Sequence, residues 1–149
     1  GSRGHTHVFS NLYFTLNSGR NQAMSATRAF ASHARDANWV VGLRPYFKYR
    51  DLGIKGATDG KVLVQVIKAN QTCDGPMGYH SHILDFQMTY MLKGSALIDF
   101  EEVGQVRVEA GDAWYQPRGV KHEVLEYSDD FEVIEIAMPA EFPTVDEER

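Results

Sequence analysis

The chain has 149 residues, 43% of them hydrophobic and 23% charged, and carries a formal net charge of −5. That length and composition describe one globular domain able to bury its own core rather than a disordered chain, and the apolar runs, only a few residues each, fall far short of a membrane span. The acidic balance, thickest at Glu123, Glu126, Asp129, Asp130, Glu132, Glu135 and the closing Asp146 to Arg149, would repel phosphate backbones and argues against nucleic acid as a partner.

In chain order, residues 1–23 read as a vector-derived or disordered leader. Gly1-Ser2 looks like a cloning scar, Met24 like a natural start, and the stretch lacks the apolar core of a secretory signal. His5-Thr6-His7 has an H-x-H spacing but no strand around it. Residues 24–59 form an N-terminal arm in this reading. Positions 25–37 permit a short helix, and Pro45 makes Leu43 to Tyr49 an edge strand or arm rather than a central strand.

The barrel is expected over residues 60–140, where short alternating runs follow one another between Gly, Pro and Asp punctuation. The runs are Lys61 to Lys68, Gln87 to Leu92, Ser95 to Phe100, Gln105 to Glu109, Asp112 to Gln116, His122 to Tyr127 and Phe131 to Met138. Residues 141–149 read as an acidic tail, and helical periodicity is absent after residue 40. The pattern is that of an all-β sandwich or barrel. The single cysteine, Cys73, permits no intrachain disulfide, which fits a reducing, cytoplasmic setting; it reads as a small residue in a loop or barrel mouth.

Candidate chemistry is concentrated in about forty residues. Side chains two apart on a strand share a face, so His80 and His82 would present their rings side by side. A third ring comes from His122, which follows a short strand and the Pro117-Arg118-Gly119 corner. Three imidazoles, with the Gln87 amide nearby, could converge on one ion, and imidazole selects a divalent transition metal: Zn, Fe, Ni, Mn or Cu.

The spacing also resembles a known family. Cupins carry G-x5-H-x-H-x3-4-E-x6-G followed by G-x5-P-x-G-x2-H-x3-N. Here the first reads His80-x-His82-x4-Gln87-x6-Gly94, and the second Gly111-x5-Pro117-x-Gly119-x2-His122-x3-Glu126. Gln87 stands where the family has its ligand Glu, Glu126 where it often has Asn, and Gly75 lies one residue too close to His80. The resemblance covers roughly residues 60 to 140. It implies a jelly-roll barrel (double-stranded β-helix) with His80, His82, Gln87 and His122 at the metal and a homodimer with a small-molecule ligand.

With an amide at 87 the ion would keep a charge near +2, and Gln87 becomes a loose ligand, an outer hydrogen-bonder or a substrate contact. If His122 faces inward, strict alternation carries Val124 and Glu126 with it, leaving Lys121, Glu123 and Tyr127 on the other face. Glu126 is then a candidate catalytic base. Gly94, Gly111 and Gly119 read as turn glycines. The functional expectation is a metal-dependent, oxygenase-like enzyme or isomerase acting on a small organic acid or enolisable carbonyl compound. The alternative is a non-catalytic metabolite-binding or sensor protein whose metal is structural or anchoring.

Overall fold

The computed structural model describes residues 28–42 and 44–149; the expected leader, His5, His7, Met24 and Leu43 lie outside them. Among the described residues, eleven strands carry nearly all the regular structure: β1 Val40–Val41, β2 Phe47–Asp51, β3 Leu63–Ala69, β4 His80–His82, β5 Phe86–Lys93, β6 Ser95–Phe100, β7 Gly104–Glu109, β8 Ala113–Tyr115, β9 His122–Tyr127, β10 Glu132–Met138 and β11 Thr144–Asp146. Two antiparallel sheets face each other, one of six strands in the order β1-β2-β3-β10-β5-β8 and one of five in the order β11-β4-β9-β6-β7. This is the expected all-β jelly-roll barrel.

The N-terminal region departs from expectation in two places. Among the described residues of the expected helix there is only a three-residue 3-10 turn, Ala34–Asp36, with no buried residue to hold a longer helix in place. Pro45 sits in the turn before β2 rather than within it. That strand is therefore free to pair on both sides, with β1 and with β3, and is not an edge. One short helix, α1 (Ile54–Ala57), fills the loop before β3. No helix among the described residues is long and apolar enough to cross a membrane. The expected acidic tail supplies an edge strand, β11, paired to β4 along its full length.

The inner faces are layered. At one end Ile67, Met91, Ile98, Val133, Tyr127 and Phe131 form the main apolar core, with Phe47 stacked on Phe131 at 5.1 Å. At the other end Leu63, Leu84, Ala137, Ala140 and Phe142 form a second cluster. Between them lies a polar layer. In the six-stranded sheet, register aligns Gln65, Glu135, Thr89 and Trp114 across β3, β10, β5 and β8, with Gln87 one inward position further along β5. The five-stranded sheet contributes His80, opposite His122, which in turn lies opposite Phe100. Polar groups sandwiched between two apolar clusters must find partners inside the barrel, and this layer is where the candidate site is built.

Gly94 shows how tightly one corner is drawn. Its φ is +77, and a Cβ there would collide with the Ser128 hydroxyl and lie 2.7 Å from Asp130 Oδ1.

Candidate metal centre

His80 and His82 lie on β4 with Ser81 buried between them on the opposite face, so the two rings share the inner side as the period of two requires. Their strand is held from both directions. β11 pairs with it on one side, and on the other the amide of Gly119, at φ +76, donates to the His82 carbonyl at 2.9 Å. The Pro117–Gly119 corner thus ties the second motif to the first and starts β9 with His122 facing inward, only 4% exposed.

The three rings meet. Centroids of His80 and His122 are 4.4 Å apart, those of His80 and His82 4.9 Å, and those of His82 and His122 5.1 Å. One nitrogen from each lies within 4.8 Å of the others. Each Nδ1 has a partner outside the cluster: the Gly78 carbonyl for His80 at 2.9 Å, Thr144 Oγ1 for His82 at 2.9 Å, and the Val120 carbonyl for His122 at 3.0 Å. A carbonyl can only accept, so Nδ1 of His80 and His122 carries the proton and Nε2 keeps its lone pair. Metal-binding histidines are held in this way.

Electrostatics point the same way. Burial lowers the proton affinity of His80, and it holds His82, with help from His80 and His122, well below the ordinary value. Burial, followed by the neighbouring His80, brings His122 to about 4. All three rings are neutral at pH 7 and available as ligands.

Gln87 is 2% exposed on the inner face of β5. Its Nε2 donates to Glu135 Oε2 at 3.1 Å, while its Oε1 is the one buried side-chain polar atom among the described residues without a hydrogen-bond partner. Three converging imidazole lone pairs and a bare carbonyl oxygen suit a divalent transition metal, so the residues present fit such an ion.

Glu126 is not part of this arrangement. The register between β6 and β9 slips at Leu125, so that Ile98 faces Val124 but Leu97 faces Glu126 and Ala96 faces Tyr127. This β-bulge reverses the alternation. Tyr127 turns inward, and Glu126 turns to the surface, where its side chain is 54% exposed and accepts from Arg107 at 2.6 Å. The expectation that Glu126 serves as an interior base is corrected on this ground. Neither of two surface hollows, one beside Arg107 and Glu126 and one between Tyr79, Lys121 and Arg149, is lined by the three histidines.

Three contributors escaped the sequence reading. Thr144 orients His82 from the C-terminal strand. Gln116 is buried beside His122, its amide nitrogen 2.8 Å from Nε2 and 3.5 Å from Nδ1, with its oxygen fixed by the Trp114 indole N–H at 2.8 Å. Such similar distances place that nitrogen beside the ring rather than out along the Nε2 lone pair. Glu135 lies on β10, and burial raises its proton affinity against the lowering effect of amide hydrogen bonds from Gln65 and Gln87. The position of Gln116, just before Pro117, was the available signal for it; Glu135 had none beyond an acid in an alternating strand.

Comparison with solved structures agrees with the architecture. The fold is similar to the polyketide cyclase RemF from Streptomyces resistomycificus (TM-score 0.65, 16% identity, covering 82% of this chain and 87% of that one). It is similar also to an RmlC-like cupin from Shewanella frigidimarina (TM-score 0.58, 16% identity, 76% and 93% covered). A third likeness is to iron(II) HppE (TM-score 0.58, 13% identity, 74% and 60% covered). No protein-family model matches the chain, and no curated protein matches its sequence. The chain is a protein of cupin fold whose interior carries a three-histidine group able to hold a metal ion.

Proposed function

We propose that this protein is a metal-dependent enzyme that binds a small organic acid or enolisable carbonyl compound at a divalent transition metal held by His80, His82 and His122. The observation that carries the reading is the convergence of three neutral imidazoles whose Nδ1 atoms are all engaged outside the cluster. A bound ion would supply Lewis acidity to an oxygen-bearing substrate and, as iron or copper, oxygenase-like chemistry. The remaining work falls to the chain. Thr144 and the Gly78 and Val120 carbonyls hold the rings; Phe142, 5.4 Å from His82, and Phe100, 6.0 Å from His122, wall the site against water. The fold likeness to a polyketide cyclase and to an iron(II) protein supports this class of chemistry by analogy.

Metal analysis of protein purified without added metal tests the reading first. Oxygen uptake and deuterium exchange next to the carbonyl, across diketones, catechols and keto acids, then test turnover. Binding without turnover is the second reading. It is favoured by Glu135, an acid of the interior layer already engaged by two amides. Saturable ligand binding with neither oxygen uptake nor exchange would select it.

A homodimer belongs to the same proposal. The outer face of the six-stranded sheet carries exposed Tyr90, Leu92, Tyr115 and Met138 around half-buried Met88, Ile134 and Ile136. Antiparallel sheets usually turn a polar face to water, so this apolar face suits a second copy. The strands that carry this apolar face, β5, β10 and β8, run eight, seven and three residues, so at about 3.4 Å per residue the face is roughly 25 Å at its longest. Light scattering of the wild type and of Tyr90→Lys gives the test: dimer and monomer are expected, and a monomeric wild type contradicts it.

A further inference from the structure

Glu135 stands at the middle of the polar layer, between β3 and β5. Its Oε1 accepts from Gln65 Nε2 at 2.9 Å, and its Oε2 accepts from Gln87 Nε2 at 3.1 Å. An ionised carboxylate can only accept, so both amides must turn their nitrogens toward it. For Gln87 this has a consequence. With its nitrogen committed, the opposite end, Oε1, is left buried and bare. Gln87 is linked to the histidine site through Gln116: the backbone N–H of Gln116 donates to the Gln87 backbone carbonyl at 3.2 Å, and the Gln116 side chain lies against His122. A buried acceptor without a partner is costly unless something electropositive meets it.

We propose that Glu135 is a positioning residue that holds the Gln87 amide so that its carbonyl oxygen, rather than its nitrogen, is offered to the ion held by His80, His82 and His122. The inference rests on the metal reading above and deepens it. It also explains the substitution in the first motif. The carboxyl group that a ligand Glu would bring is not missing from the interior; it stands behind Gln87, on Glu135, where it engages the amide instead of touching the ion. Gln65 completes the device by occupying the other carboxylate oxygen.

The test is cobalt(II) titration of metal-free protein, read by the ligand-field spectrum and by affinity against a competing chelator. Glu135→Gln leaves one carbonyl to serve two amides, so the orientation of Gln87 is no longer imposed. Cobalt binding should weaken about tenfold, as is typical when a partner behind a ligand is lost, with a changed ligand-field band. Gln87→Met removes the oxygen outright and should produce the same changes, and the double variant should be no worse than either single one. Gln87→Glu in the Glu135→Gln background should restore affinity, because a carboxylate offers an oxygen whichever way it is turned.

An unchanged spectrum and affinity in Glu135→Gln or in Gln87→Met overturns the proposal. A purely structural role for Glu135 would lower the melting temperature without moving the cobalt band, which also overturns it. If Glu135→Gln does not fold, Gln87→Met alone decides, since Met has nearly the same shape. A wild type that takes up no cobalt refutes the metal reading itself, a result distinct from cobalt bound without help from Gln87.

Discussion

The two inner faces of the barrel solve the burial of polar groups in different ways. On the five-stranded sheet each imidazole leans on a separate support outside the cluster, namely the Gly78 carbonyl, Thr144 and the Val120 carbonyl. On the six-stranded sheet Gln65, Glu135 and Gln87 lean on one another, each hydrogen bond presupposing the next. The first arrangement presents lone pairs whatever its neighbours do, whereas the second presents an oxygen only while the chain of amides stays intact. Losses of these outer supports should therefore act ring by ring. Those on the amide side should be coupled.

The largest effect expected is on the histidine side. His82→Ala should remove most of the bound metal, measured by elemental analysis of the purified variant, because two imidazoles and an amide make a weak site. Full occupancy would take His82 out of the site.

Acid should follow. In the unfolded chain a histidine titrates near 6.5, whereas in the fold His80 and His82 lie lower and His122 near 4. Between those limits the unfolded state binds protons that the folded state refuses, so metal-free protein should lose stability as the pH falls from about 7 toward 4. Glu135 acts in the opposite sense, its raised proton affinity eroding stability as the pH rises above 4.5. Urea midpoints of Glu135→Gln from pH 7 to pH 4 read the histidines without that opposing acid; midpoints that stay flat or rise on acidification would show that the rings are not buried neutral.

A smaller effect is expected at Thr144→Val, which removes the Nδ1 partner of His82 while leaving the ring in place. Metal affinity should drop about tenfold with little change in melting temperature. Equal affinity would mean that packing against Phe142 alone orients the ring. The smallest belongs to Glu126→Gln, whose ion pair with Arg107 is solvent-exposed. Stability should change by less than about 0.5 kcal/mol and metal content not at all. Loss of metal in that variant would place Glu126 inside the barrel after all.

The contrast between the faces also marks what the sequence could reveal. The observed bounds of β6 and β9 are those expected from alternation, and β3, β5, β7, β8 and β10 lie within two or three residues of theirs. His80 and His82 were visible together because the period of two needs only one short strand, and His122 because a Pro-Gly corner announces the strand that bears it. Three features were invisible for definite physical reasons. The bulge at Leu125 carries no composition signal, and one extra residue was enough to exchange Glu126 with Tyr127. β11 is three residues long and owes its existence to pairing with β4, 62 residues away at the Thr144–His82 contact. The partners of Glu135 are 70 and 48 residues distant in the chain, brought together only by β3 and β5 flanking β10.

One experiment addresses the central claim without any assumption about substrate: an X-ray fluorescence scan across the metal edges of crystals grown from protein purified without added metal, with an anomalous difference map at the edge found. A single peak of a divalent transition metal bonded by nitrogens of His80, His82 and His122 is the predicted result. A metal-loaded crystal with no anomalous density among the three rings, or with the peak elsewhere on the molecule, would contradict it.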